Sequence, residues 1–153
     1  EIAPARDAVM SALCERLKIS GGTAVIIDYG HLATGYGDTL QAVRNHEYDP
    51  PLANPGRADL TSHVDFEQLA RRAKTDDVQI NGLAHQGDFL VGLGLLDRAA
   101  ALGRDKDAAT QESIRQDVER LAGAGAGKMG ELFKVLAVSS PPVPLSPFRK
   151  PKA

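Results

Sequence analysis

The chain is poor in features that would tie it to a membrane, a nucleic acid or a disulfide scaffold. Cys14 is the single cysteine among 153 residues, so no intrachain disulfide forms. That fits a reducing compartment. Lys and Arg number 18 against 20 Asp and Glu, for a net charge of -2, and the two signs are mixed along the chain. No basic stripe marks a nucleic-acid surface and no acidic run marks a tail. No apolar run approaches the ~18 residues a membrane span needs. The opening E-I-A-P-A-R-D lacks the charged and apolar regions of a signal peptide, and it lacks an initiator Met.

Two large classes of catalyst lack their signatures. A serine hydrolase needs its nucleophile on a sharp turn, and G-x-S-x-G does not occur. Ser139-Ser140 closes a strand but runs into Pro141-Pro142, a poor setting for an oxyanion hole. His31, His46, His63 and His85 form no H-x-x-x-H pair, and one cysteine gives no Cys/His spacing, so no metal site is expected. What remains is an ordinary globular composition, 42% hydrophobic and 25% charged, at a length that supports one core.

Apolar residues at Val9, Met10, Leu13, Cys14 and Leu17 have helical spacing, and Gly21-Gly22 follows. Next comes Ala24 to Asp28, a continuous apolar strand of the kind buried on both faces of a mostly parallel sheet. Residues 31–63 show no period and are punctuated by Gly and Pro, so they are expected to form a long irregular loop. Beyond it, Thr61 is expected to cap a helix over Val64 to Ala73. A strand at Val78 to Leu83, helices at Gly87 to Leu102 and Ala108 to Leu121, and a strand at Leu132 to Val138 complete the order. Residues 139–153 are proline-rich and are expected to lie over the surface or move freely. Three strands leave a strand like Ala24 to Asp28 short of neighbours, so the chain is expected to be the C-terminal part of a larger domain.

G-A-G-K-M-G, Gly125 to Gly130, matches the letters of a dinucleotide fingerprint. That fingerprint needs a strand before it and a helix after it, and here the order is reversed. The phosphate-loop reading fails as well, with Ala122 in place of the first Gly and Met129 in place of the Ser or Thr. The segment reads as a helix-to-strand connection.

Asp28-Tyr29-Gly30-His31 places polar groups at the carboxyl end of a strand, where open α/β sheets bind ligands. Asp28 reads equally well as a turn residue. Asp59-Leu60-Thr61-Ser62-His63-Val64-Asp65-Phe66 gathers two carboxylates, hydroxyls and an imidazole. Helix capping accounts for Thr61 and Asp65 there, but poorly for His63.

Five segments, taken in order, carry a resemblance. They are G-G-T-A-V-I-I-D-Y-G-H, G-D-T-L-Q-A-V-R-N-H, P-G-R-A-D-L-T-S-H-V-D-F, H-Q-G-D-F-L-V-G-L-G and K-M-G-E-L-F-K-V-L-A-V. Together they resemble the MidA family of S-adenosylmethionine-dependent methyltransferases, from Glu1 to about Val138, with wording similar to that of a bacterial member. That family includes the mitochondrial arginine methyltransferase that assists assembly of respiratory complex I.

The resemblance implies an α/β fold, the C-terminal part of a Rossmann-like seven-stranded sheet. Ala24 to Asp28, Val78 to Leu83 and Leu132 to Val138 would be its strands 5 to 7, the last antiparallel between the other two. It implies S-adenosylmethionine as cofactor, bound mainly by an N-terminal half whose glycine-rich motif is not in this sequence. It implies methyl transfer to a protein arginine, in the complex I case on the 49 kDa-type subunit. The location implied is the cytoplasm for a bacterial protein and the mitochondrial matrix for eukaryotic relatives.

Residue chemistry then suggests roles. An arginine stays protonated at neutral pH, so transfer to it needs carboxylates that grip the guanidinium and a group that takes a proton. Asp28, His63 and Asp65 are the catalytic candidates. Tyr29, His31, Tyr36, Asp59 and Thr61 are the substrate-binding candidates, the tyrosines by cation–π contact. The competing reading is a non-catalytic assembly factor whose long loop and tail bind a partner protein.

Overall fold

The computed structural model describes residues 3–148. Helix α1 (Pro4–Ser20) opens with proline in its first turn, where the missing N–H costs nothing. Its buried stripe is Met10, Cys14 and Leu17. Gly21, at φ 69°, turns the chain straight into strand β1 (Gly22–His31). The helix, glycine turn and strand follow the sequence reading, with a longer strand.

The region expected to be irregular is a small sheet of its own. Strands β2 (Gln41–Arg44), β3 (Glu47–Asp49) and β4 (Asp59–Thr61) pair antiparallel in the order β3-β2-β4. Arg44 pairs with Glu47, so the β2–β3 loop is two residues long. Asn45 and His46 sit there at φ 54° and 65°, the double left-handed conformation of a tight hairpin turn. These strands are three or four residues long and mostly polar, which is why no period survives in the sequence.

Strand β5 (Val64–Asp65) leads directly into helix α2 (Phe66–Thr75). Strand β6 (Gln79–His85) follows. The single helix expected over Gly87 to Leu102 is two, α3 (Gln86–Gly92) and α4 (Leu95–Gly103), broken at Gly94 with φ 93°. Helix α5 (Ala108–Ala122), the short α6 (Met129–Leu132) and strand β7 (Phe133–Ser140) complete the chain.

The main sheet runs β5-β1-β7-β6. β7 lies antiparallel to both β1 and β6, and β5 is parallel to β1. An antiparallel last strand inserted between two parallel ones is the arrangement expected from the resemblance. β7 is the most buried strand, with Val135, Leu136, Ala137, Val138 and Ser139 all fully inaccessible. One face of the sheet carries the core, in which Leu136 and Val138 pack with Met10, Cys14, Phe66 and Leu69 from α1 and α2.

The strand Ala24 to Asp28 differs from expectation in its burial. Ala24 and Ile26 pack on the core, but Val25 and Ile27 are 45% and 47% exposed. The physical reason is that Val25 and Ile27 alternate onto the face opposite the α1–α2 core, and the edge beside them is open as well. β5 pairs only with Gly30 and His31, so among the described residues the outer edge of β1 from Gly22 to Tyr29 has no strand beside it.

The proline-rich segment after β7 lies on the surface through residue 148. Phe148 fills the space over Gly82, where an added Cβ would meet its ring at 1.9 Å. Pro147 sits over Gly92 in the same way, and Asn81 donates a hydrogen bond to the Val143 carbonyl. The rest of the predicted tail, 149–153, lies outside the described residues.

Candidate functional site

The carboxyl ends of β1 and β5 meet at one place, and the meeting is sterically tight. A Cβ on Gly30 would lie 2.1 Å from the Val64 carbonyl oxygen, so only glycine lets the two strands close there. This contact brings His31 opposite Asp65 in the register. The two signature stretches of the sequence, thirty-odd residues apart, are thereby joined at one sheet edge.

Asp65 is the hub. It is the N-cap of α2, and its Oδ1 accepts the Gln68 N–H at 3.0 Å. The sequence reading put the cap at Thr61. The cap is Asp65 because β5 intervenes, while Thr61 ends β4 opposite Gln41. The other carboxylate oxygen, Oδ2, accepts the Thr34 hydroxyl at 2.8 Å and lies 3.8 Å from His31 Nε2. Burial by itself would raise this carboxyl. The Gln68 N–H, the Thr34 hydroxyl and the charges of His31 and Arg6 outweigh that and hold it below its ordinary value. Asp65 is therefore an anion at neutral pH.

The loop after β1 is pinned at both ends. Thr34 N–H donates to Glu67 Oε2 at 2.7 Å, and Arg71 pairs with the same carboxylate at 2.8 Å. The Thr34 N–H first, with Arg71 behind it, holds Glu67 down at about 2. At the other end His63 N–H donates to Thr39 Oγ1 at 3.3 Å. Between the pins Gly35-Tyr36-Gly37 stands clear. Tyr36 is wholly exposed, and an added Cβ on either glycine would meet nothing within 4 Å.

These elements enclose a cleft of about 490 Å³. His31, Tyr36, His63 and Asp65 line it, as do Arg6, Thr34 and Thr39. Tyr29 stands beside it, its ring 5.9 Å from His63 and 5.7 Å edge-on to Phe133. Burial lowers the His63 pKa, and the neighbouring His31 and Lys134 lower it further. His63 is thus a neutral imidazole near pH 7, able to accept a proton.

The remaining predicted residues are placed apart from the cleft lining. Asp28 accepts its neighbour's Tyr29 N–H at 2.8 Å, as a turn residue does, and is opposite Lys134 in the β1–β7 register. Asp59 and Thr61 belong to β4, paired with Val43 and Gln41. Arg6 was missed in the sequence. It sits in the first turn of α1, 22 residues before Asp28 and 53 before Asp59, with no motif around it. Among the described residues no group of three or more His, Cys, Asp or Glu is disposed to hold a metal. No helix there is long and apolar enough to cross a membrane.

A parallel pair of strands flanking an antiparallel last strand, with a polar cleft at the strand ends, defines a Rossmann-like α/β protein of the methyltransferase type. The chain belongs to the S-adenosyl-L-methionine-dependent methyltransferase family whose model matches residues 1–84. It is 33% identical over 139 residues to the mitochondrial protein arginine methyltransferase NDUFAF7 of Homo sapiens, covering 90% of this chain and 31% of that protein. The Drosophila melanogaster homolog of that enzyme is 38% identical over 127 residues, covering 82% of this chain and 28% of the relative. The chain therefore spans about a third of the length of the curated relatives it matches. Two crystal structures of superfamily members from Burkholderia thailandensis are similar at 28% identity, each over 87% of this chain. One has a TM-score of 0.75 and is covered over 36% of its length. The other has a TM-score of 0.71, is covered over 35% and is bound to S-adenosyl-homocysteine.

The family's cofactor finds only part of a site in these residues. A methyltransferase of this fold class holds its cofactor on a glycine-rich turn from strand to helix. The glycine-rich turn here, Gly123 to Gly130, runs from α5 through the single turn of α6 into β7.

Proposed function

We propose that this chain supplies the substrate side of a protein arginine methyltransferase, joined in the working enzyme to a part that holds S-adenosylmethionine. The observation that carries the reading is the cleft at the β1–β5 junction, where an ionised Asp65, a neutral His63 and the exposed ring of Tyr36 line one space. The cofactor supplies an electrophilic methyl group. The chain's residues hold the acceptor. Asp65 offers its carboxylate to a guanidinium, and Tyr36 offers a ring face. His63 takes the proton that the guanidinium nitrogen gives up. His31 lines this space and Tyr29 stands beside it against His63, while Asp28, Asp59 and Thr61, outside the lining, would act only on the protein that carries the arginine.

The names of the relatives support arginine as the acceptor, and the family description supports the cofactor. The resemblance of the five sequence segments extends the proposal to a protein substrate of the complex I type, including its 49 kDa-type subunit, and to the cytoplasm as the location in a bacterium. The test is calorimetry with S-adenosyl-homocysteine. Binding is expected to the full-length protein and not to residues 1–153 alone. Tight binding to the 153-residue chain would overturn this division of labour.

A second reading rests on a separate observation. The β2–β3–β4 sheet and its loops expose Tyr48, Leu52 and Leu60, at 81%, 87% and 57%. Such side chains suit contact with a partner protein. In a non-catalytic assembly factor they would be the working surface, and loss of Asp65 and His63 would leave the assembly function intact.

A further inference from the structure

We propose that Arg6 and His31 form a carboxylate-binding subsite in the cleft at the β1–β5 junction. The inference rests on the substrate-side reading of that cleft and deepens it by naming a second group the cleft recognises. Arg6 lines the cleft, yet its Nε and Nη2 are both shielded from solvent and make no hydrogen bond among the described residues. No carboxylate among those residues lies within ion-pair distance of it. Guanidinium donors that are shielded from water and have found no acceptor are costly, and such a site is satisfied by an anion that arrives later.

The nearby acid does not meet the need. Asp65 takes its hydrogen bonds from the Gln68 N–H and the Thr34 hydroxyl and makes none with Arg6, which its charge reaches only through space, while each oxygen keeps a lone pair for a further donor. His31 lies on the same wall, with its side chain one-third exposed to the cleft and 3.8 Å from Asp65. A carboxylate entering the cleft would accept from Arg6 as a planar fork and from His31 as a second donor. The cleft then has two poles: Asp65 and Tyr36 for a cation, Arg6 and His31 for an anion. A target arginine with an acidic side chain next to it matches both.

Substrate and cofactor both carry carboxylates, and the experiment separates them. Scanning calorimetry of the full-length protein compares sodium acetate with sodium chloride at equal ionic strength. Acetate is expected to raise the wild-type melting temperature and to leave Arg6→Met and Arg6→Gln unmoved. In chloride both variants are expected to melt no lower than wild type, since two shielded donors without an acceptor have been removed. Equal acetate effects in all three proteins, or both variants melting lower in chloride, would overturn the subsite. This arm involves no methyl transfer, so it stays readable if the methyltransferase reading fails. Two further arms assign the source. If a peptide with Glu beside Arg is preferred over its Gln counterpart about tenfold in wild type and not in Arg6→Gln, the carboxylate is the substrate's. If only the affinity for S-adenosyl-homocysteine falls in Arg6→Gln, it is the cofactor's. No change in either overturns the proposal.

Discussion

Thr34 donates its hydroxyl to Asp65 Oδ2 at 2.8 Å, across 31 residues of sequence. The bond couples two jobs in one carboxylate. Oδ1 caps α2 while Oδ2 ties down the loop that carries Tyr36. Asp65→Ala should therefore cost more than a cap. The cap alone is worth about 0.5–2 kcal/mol. Asp65→Asn retains a capping oxygen and is expected to recover most of that, but not the anion. Urea denaturation of both variants reads the difference, and equal losses would show that charge rather than capping dominates.

Gly30 is where β1 and β5 touch. A methyl group there meets the Val64 backbone, which has no flexible end to give way. Gly30→Ala is expected to destabilise by at least about 1–3 kcal/mol, the usual cost of overpacking. The His31 and His63 resonances should shift with it, because the junction sets their spacing. A variant as stable as wild type would show that the strands part without penalty.

His63 sets an acid-side weakness. Its folded pKa lies below the ordinary 6.5 because of burial and the neighbouring His31 and Lys134. As pH falls through 6.5 the unfolded chain takes the proton first, so the folded state loses stability until its own pKa is passed. Asp65 acts in a lower window. Its folded pKa is below 3.8, so its contribution is present above that value and is lost as pH falls through the folded one. His63→Asn is expected to flatten the decline in melting temperature between about pH 7 and 5, and to leave the drop below about pH 4. An unchanged slope in the upper range would assign that decline elsewhere.

Tyr36 lines the cleft but is wholly exposed, so removing it should leave stability within about 0.5 kcal/mol. In the proposed function its ring faces the bound cation, a contact worth about 0.5–2 kcal/mol. Tyr36→Ala is expected to raise the KM for an arginine peptide about two- to thirtyfold with kcat little changed. Tyr36→Phe keeps the ring face and should behave as wild type. A loss of the same size in Tyr36→Phe would assign the effect to the hydroxyl.

The sheet was the legible part of this sequence. Ala24–Asp28 and Leu132–Val138 are mostly apolar, Val78–Leu83 alternates apolar with polar, and each became the heart of a strand. The β2–β3–β4 sheet was not legible. Its strands are three or four residues long, and its tight turn is Asn-His, where Asn-Gly would have signalled a hairpin. The break between α3 and α4 was masked by Leu93 and Leu96, which sustain a helical spacing yet are more than half exposed. Of the site, His31, His63 and Asp65 stood out as polar groups beside apolar runs. Arg6 did not, since an arginine in a first helical turn carries no signal until the fold places it on the cleft wall. Asp28 stood out and yet turns to its own neighbour's N–H.

The central claim is that the β1–β5 cleft grips an arginine and receives its proton. Transfer of labelled methyl from S-adenosylmethionine to an arginine peptide, by the full-length protein and its His63→Gln and Asp65→Asn variants, tests it most directly. The account predicts that each variant binds S-adenosyl-homocysteine as wild type does and loses at least about 100-fold in kcat, the scale of general-base catalysis. Methylation at the wild-type rate by both variants would contradict it.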